Sequence, residues 1–154
     1  MPPNRVERLR QTYRQWLESL GITHFVTFNF GYRIGPYSAE YAMKGFCGRL
    51  ERMAFGRNYA KRRCEDRLVM IGFLERADQN PHWHAVVRAN ADIRWALELC
   101  GPTIWEELQP RGQLWVEPIE DERRVISYST KRLTLAGLQD KFLYAQNPPK
   151  LDDL

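Results

Sequence analysis

Cysteine is scarce in this chain of 154 residues. Cys47, Cys64 and Cys100 are odd in number and fall at no paired metal-ligand spacing, which argues against a disulfide scaffold or a thiolate zinc module. Free thiols in a reducing compartment are the expectation. Long apolar runs are also missing. The longest strongly apolar stretch, Leu68 to Leu74, is far too short to cross a bilayer, and the opening Met1-Pro2-Pro3-Asn4-Arg5 carries no apolar leader. A cytoplasmic location with no membrane partner is therefore expected. No Gly-rich phosphate loop occurs, so a built-in nucleotide-driven motor is not expected. Internal repeats, low-complexity tracts and a visible second domain are lacking as well.

What is present suits one globular domain. Apolar residues make up 44% and aromatics 12%, enough for a sizeable core at this length, and the net charge of +4 suits a polyanionic partner. We expect a single domain over 1–146, opened by a helix over 1–20, and a loose tail over 147–154 with two prolines and an acidic end.

Periodicity orders the elements. Val6, Leu9, Tyr13, Trp16, Leu17 and Leu20 recur at three- and four-residue steps, predicting an amphipathic helix closed by Gly21. Ile22 to Phe30 reads as a strand, and Ala42, Phe46, Leu50 and Met53 mark a second helix ending near Gly56. Strands around Arg67–Glu75 and His82–Ala89 follow. A helix beginning at Asp92 should break or kink at Gly101-Pro102 before Ile104 to Leu108. Gln113 to Glu117 is a strand with Leu114 and Val116 on one face. After the first helix the order is β-α-β-β-α-β-α, and its first six elements predict an α+β, ferredoxin-like split βαβ (RRM-like) antiparallel sheet.

The three histidines of the chain are used unevenly, two of them in Pro81-His82-Trp83-His84-Ala85-Val86-Val87. Alternation along a strand puts His82 and His84 on one face and Trp83, Ala85 and Val87 on the other. Two imidazoles one strand step apart can share a divalent ion, although such a pair is also common surface decoration. Glu75 ends the preceding strand at the same end of the hairpin and would add a carboxylate oxygen. Imidazole and carboxylate without thiolate suit manganese or magnesium acting on phosphate, with zinc an alternative. Asp78 and Asn80, in the intervening loop, are alternative ligands. His24 falls on the Val26 face and reads as structural.

Downstream, Val125-Ile126-Ser127-Tyr128-Ser129-Thr130-Lys131-Arg132-Leu133 follows the acidic Glu120-Asp121-Glu122, the charge order a helix dipole prefers. Tyr128 and Lys131 are three apart and share a face. An ordinary amphipathic helix is the competing reading. Ser127, Ser129 and Thr130 are indifferent helix formers, and such small polar neighbours would let a bulky substrate reach the tyrosine hydroxyl.

Taken together, Phe25-Val26-Thr27-Phe28-Asn29-Phe30, His82-Trp83-His84 and Tyr128-Ser129-Thr130-Lys131 resemble, in order and spacing, the three motifs of the HUH endonucleases. Within that superfamily the chain is most similar to the single-tyrosine rolling-circle replication initiators. The resemblance covers roughly Thr23 to Leu133. It implies metal-dependent nicking and rejoining of single-stranded DNA through a covalent 5′-phosphotyrosine. Tyr128 would be the nucleophile, Lys131 its cationic helper, and His82, His84 and Glu75 the ligands of Mn2+ or Mg2+. Implied partners are a single-stranded origin or transposon end, which may form a hairpin, and a separate helicase. In that architecture Thr27 and Asn29 would share the open sheet face with the histidines and contact the DNA there, and the last helix must cross that face to bring Tyr128 to the metal.

Further DNA contacts are expected from two segments. Arg57, Lys61, Arg62 and Arg63 surround Tyr59 together with Arg67, and Tyr32 and Arg33 sit between Gly31 and Pro36. Arg132 adds a cation beside Lys131. The rival readings are a single-tyrosine transposase, which typically carries Gln where Lys131 stands, and a non-catalytic RRM-like nucleic-acid-binding module, which would present aromatics rather than histidines on the sheet.

Overall fold

The computed structural model describes residues 2–75, 81–131 and 141–150. It is an α+β structure built on one five-stranded antiparallel sheet. The elements run α1 (Arg5–Leu20), β1 (His24–Asn29), α2 (Pro36–Phe55), β2 (Val69–Glu75), β3 (His82–Arg88), α3 (Ala91–Trp95), α4 (Gly101–Leu108), β4 (Gln113–Pro118), α5 (Glu122–Lys131) and β5 (Lys141–Tyr144). Sheet order is β4-β1-β3-β2-β5, so β1 and β3 are neighbours, as the element order predicts.

Alternation in β1 and β3 splits the core into two layers. Val26, Phe28, Trp83, Ala85 and Val87 face α2 and the α3–α4 segment, where Met43, Phe46, Leu97 and Trp105 meet them. Trp105 is fully buried, its ring edge-on to Phe28 at 4.8 Å and to Phe30 at 5.0 Å. Its indole N–H donates to the Asn29 carbonyl at 3.0 Å. The opposite face carries Ile71, Phe73 and Val86, covered by Leu9, Tyr13 and Leu17 of α1 and Ile126 of α5. Both outer helices therefore cap the histidine-bearing side. Asn4 caps α1 by accepting the Glu7 amide at 2.8 Å, and Gly21 ends it in the left-handed region.

The interruption expected at Gly101-Pro102 takes a specific form. Pro102 has no N–H to return to the preceding turn and its ring crowds the carbonyl four residues back, and the helix widens into a π turn over Ala96–Cys100. β5, which sequence periodicity did not distinguish, pairs with β2 at the sheet edge. Tyr144 ends it. Its hydroxyl donates to the fully buried Glu51 carboxylate at 2.5 Å, while Arg67 clamps the same carboxylate with two bonds of 3.0 and 2.9 Å. Residues 147–150 follow, and Asn147 donates to the Cys64 sulfur at 3.3 Å.

All three cysteines are unpaired, as expected. Among the described residues no helix is long and apolar enough to cross a membrane.

Candidate active site

The histidine end of the sheet is where the chemistry-bearing residues gather. Asn29 pairs with His82 across β1–β3, and Glu75 pairs with His82 across β2–β3, so the three share one face at one end. The Glu75 carboxylate nevertheless reaches diagonally to His84, with Oε2 2.5 Å from Nε2. Behind the ring, the Thr27 hydroxyl lies 3.1 Å from His84 Nδ1. Thr27 is directly opposite His84 in register, so β-pairing fixes this contact. His84 is thus held at one ring nitrogen by Thr27 and at the other by Glu75, so the protein sets the orientation of its ring.

Phe25 completes the support. Its ring stacks on His84 at 5.4 Å and meets Tyr128 edge-on at 6.5 Å. One small cavity is lined jointly by Phe25, Glu75, His84, Tyr128 and Ser129. It adjoins a cleft of about 770 Å³ lined by Phe25, His84, Glu117, Asp121, Arg124 and Tyr128, among others. Tyr128 is 41% exposed, so its side chain is half-packed. α5 is anchored for this by Ile126 in the core, and Thr130 is buried with its hydroxyl satisfied inside the helix by the Ile126 carbonyl at 2.8 Å. Asp121 caps the helix, accepting the Arg124 amide at 3.1 Å.

The residues singled out in the sequence divide into two groups. His84, Glu75, Thr27 and Tyr128 come together, with His82 on the same face. The Asn29 side chain accepts the Gly31 amide at 2.7 Å and so shapes the turn after β1. That turn is tight: Gly31 has φ +75°, and a Cβ there would meet the Arg111 carbonyl. Tyr32 donates to Gln109 at 3.0 Å on the α2 side of the sheet, next to the exposed Arg33.

Arg57, Lys61, Arg62 and Arg63 lie in and beside the 3-10 turns Tyr59–Lys61 and Cys64–Asp66, which lead into the start of β2 at the opposite end of the sheet from Glu75. A seven-residue strand, roughly 20 Å, separates them from the histidines. Arg62 packs over Phe55 at 4.5 Å, and Arg63 pairs with Asp66 at 3.6 Å. Lys131 is exposed at the end of α5 and lines neither cavity; its carbonyl accepts from Arg10 at 3.3 Å. Among the described residues, the cation lining the cleft is Arg124, four residues before Tyr128 and beside the carboxylates of Glu117, Glu120 and Asp121. Arg132, Asp78 and Asn80 fall outside the described residues.

Phe25 and Arg124 were not anticipated as site residues. Phe25 has the same strand parity as Thr27, and Arg124 the same helical face as Tyr128, so both signals were present. His24, by contrast, is buried on the other face as expected, with Nε2 2.7 Å from Glu98 and Nδ1 2.6 Å from the Thr23 hydroxyl.

The donor set at the sheet end is chemically suited to a divalent cation: one imidazole and one carboxylate converge, and a second imidazole stands one strand step away. Among the described residues, no group of three or more His, Cys, Asp or Glu side chains is drawn together closely enough to form a complete metal site. No family model, curated protein or solved structure matches this chain.

Proposed function

We propose that this chain is a tyrosine-dependent DNA strand transferase of the HUH endonuclease type, built on a ferredoxin-like sheet, that nicks and rejoins single-stranded DNA. The observation that carries the reading is the cavity shared by Tyr128, His84 and Glu75.

His84, Glu75 and His82 would hold Mn2+ or Mg2+, which when bound supplies Lewis-acid polarisation of a phosphate oxygen. Thr27 keeps the His84 ring turned toward Glu75, and Phe25 holds both the ring and the tyrosine from the side. The Tyr128 hydroxyl attacks the phosphorus of a DNA diester. The new O–P bond forms as the P–O3′ bond breaks; the phenolic proton departs to solvent and the leaving 3′-oxygen is protonated. A 5′-phosphotyrosine and a free 3′-hydroxyl result. One diester replaces another, so the reverse attack by a 3′-hydroxyl rejoins DNA without an energy source. Arg124 would meet the phosphate backbone on a cleft wall that also carries the carboxylates of Glu117, Glu120 and Asp121.

The same geometry speaks against a sheet-based binding module, since α1 and α5 cover the face on which such a module would stack bases. The reading is tested by incubating labelled single-stranded DNA of mixed sequence with the protein and manganese. Cleavage should be lost on adding EDTA and in His84→Ala. Cleavage that survives both would remove the metal-site assignment.

A further inference from the structure

On the far side of the sheet from this site, α2 presents an outward stripe that the proposed reaction does not use. Positions 37, 41, 44, 45, 48 and 52 recur at three- and four-residue steps, opposite the buried Ala39, Ala42, Met43, Phe46 and Leu50. Tyr37 and Tyr41 are 88% and 83% exposed, extreme values for large aromatic rings. With Tyr32 and Tyr59 they line a groove of about 840 Å³ whose charged side chains are Lys44, Arg49 and Arg52. Among the described residues no carboxylate lines it. Lys44 pairs with Glu40 and Arg49 with Glu107, each at 3.0 Å and exposed, weak enough for phosphate to compete with. Arg52 makes no ion pair among the described residues.

The groove floor contains Gly45 and Gly48, inside a helix where glycine costs stability relative to alanine. A Cβ at either would make only ordinary contacts, 4.0 Å from Leu108 and 3.6 Å from the Tyr59 hydroxyl. Packing within the chain therefore does not demand them, and they leave the floor open. At the C-terminal end of α2 the groove meets Tyr59 and the segment carrying Arg57, Lys61, Arg62 and Arg63.

We infer that the outer face of α2 is a second binding track, for single-stranded DNA outside the reacting phosphate. Exposed rings interleaved with cations are the composition that holds such strands, bases stacking on the aromatics and phosphates meeting the cations. From Tyr37 to Arg52 the stripe spans ~22 Å, about six or seven nucleotides at stacked spacing. The track also gives the basic segment at the far end of the sheet a role that its distance from Tyr128 otherwise denies it. The choice of DNA over RNA rests on the function proposed above; the track itself does not.

The test is fluorescence anisotropy of labelled (dT)20 with the full chain carrying Tyr128→Phe, so that no cleavage intervenes. Tyr37→Ala/Tyr41→Ala should weaken binding at least tenfold, whereas Tyr37→Phe/Tyr41→Phe should retain it. Arg52→Ala should lower the slope of log Kd against log salt by ~0.7. Both tyrosines are solvent-exposed, so circular dichroism should show an unchanged fold. Binding of the alanine double variant within twofold of its parent overturns the inference. So does a loss of self-association in that variant with DNA binding intact, which would make the stripe a subunit contact. Equal weakening with (rU)20 supports the track and removes its preference for DNA. A tenfold weakening in a protein that forms no covalent adduct with any DNA upholds the track while sinking the strand-transfer reading; adduct formation with unaltered binding does the reverse.

Discussion

Replacing Arg67 with methionine should be the most destabilising change to any charged residue in this protein. Glu51 is completely buried on α2 and Arg67 only 12% exposed at the entry to β2. The guanidinium meets both carboxylate oxygens, the Tyr144 hydroxyl supplies a third bond, and the Leu68 amide approaches at 3.4 Å. Burial, followed by the bond to Glu51, pushes the Tyr144 phenol far above its ordinary value, so it stays a donor at every working pH. The same carboxylate raises Arg67 further. Removing the cation leaves a buried carboxylate with one strong donor, a loss of ~3–5 kcal/mol. At this chain length each kcal/mol moves the melting point by about 2–4 °C, so a fall of roughly 6–20 °C is expected. Tyr144→Phe, which removes one bond to a charged group, should cost ~1.5–3 kcal/mol. Glu51→Leu/Arg67→Met, which removes both charges, should recover most of the loss. Urea unfolding followed by circular dichroism measures all three. A loss below about 1 kcal/mol for Arg67→Met, or a double variant no better than that single one, would refute the reasoning.

Other substitutions reach the remaining layers. Thr27→Val keeps the shape beside His84 but removes the hydroxyl at Nδ1, and should lower strand cleavage ~10–100-fold with the melting point nearly unchanged. Trp105→Ala empties the centre of the α2-side core and should cost ~3–5 kcal/mol in urea unfolding, while leaving the geometry around Tyr128 on the opposite face intact. The bond from His24, aided by Arg94, holds the Glu98 carboxyl below its ordinary value. A depressed folded-state value stabilises above the unfolded glutamate value, ~4.3, and the contribution fades as pH falls through the folded one. Urea midpoints measured from pH 6 to pH 3 should therefore drop more steeply in the parent than in Glu98→Gln.

How far the sequence led can be judged element by element. Alternation over His24–Asn29 and His82–Arg88 was strong enough to give both faces of the two central strands, and with them the meeting of Thr27 and His84. The amphipathic stripe of α1 announced that the helix packs, but one apolar stripe does not say on which side of a sheet. Only the structure brings α1 beside α5 over the histidine face. β5 escaped because four residues of Lys-Phe-Leu-Tyr are too few for a period to register. Lys131 and Arg124 share a face with Tyr128 equally well by spacing, three residues after it and four before. The structure puts Arg124 rather than Lys131 on the cleft wall, with Ile126 of the same helix in the core. Adjacency in sequence likewise grouped Arg57 to Arg63 without locating them at the far end of β2.

The most direct test of the central claim is a denaturing gel of the protein with a diverse single-stranded DNA pool and manganese, followed by peptide mass analysis of any shifted band. The account predicts a covalent adduct on Tyr128, dependent on metal and absent in Tyr128→Phe. Cleaved DNA with no protein attached, or an adduct that persists in Tyr128→Phe, would contradict it.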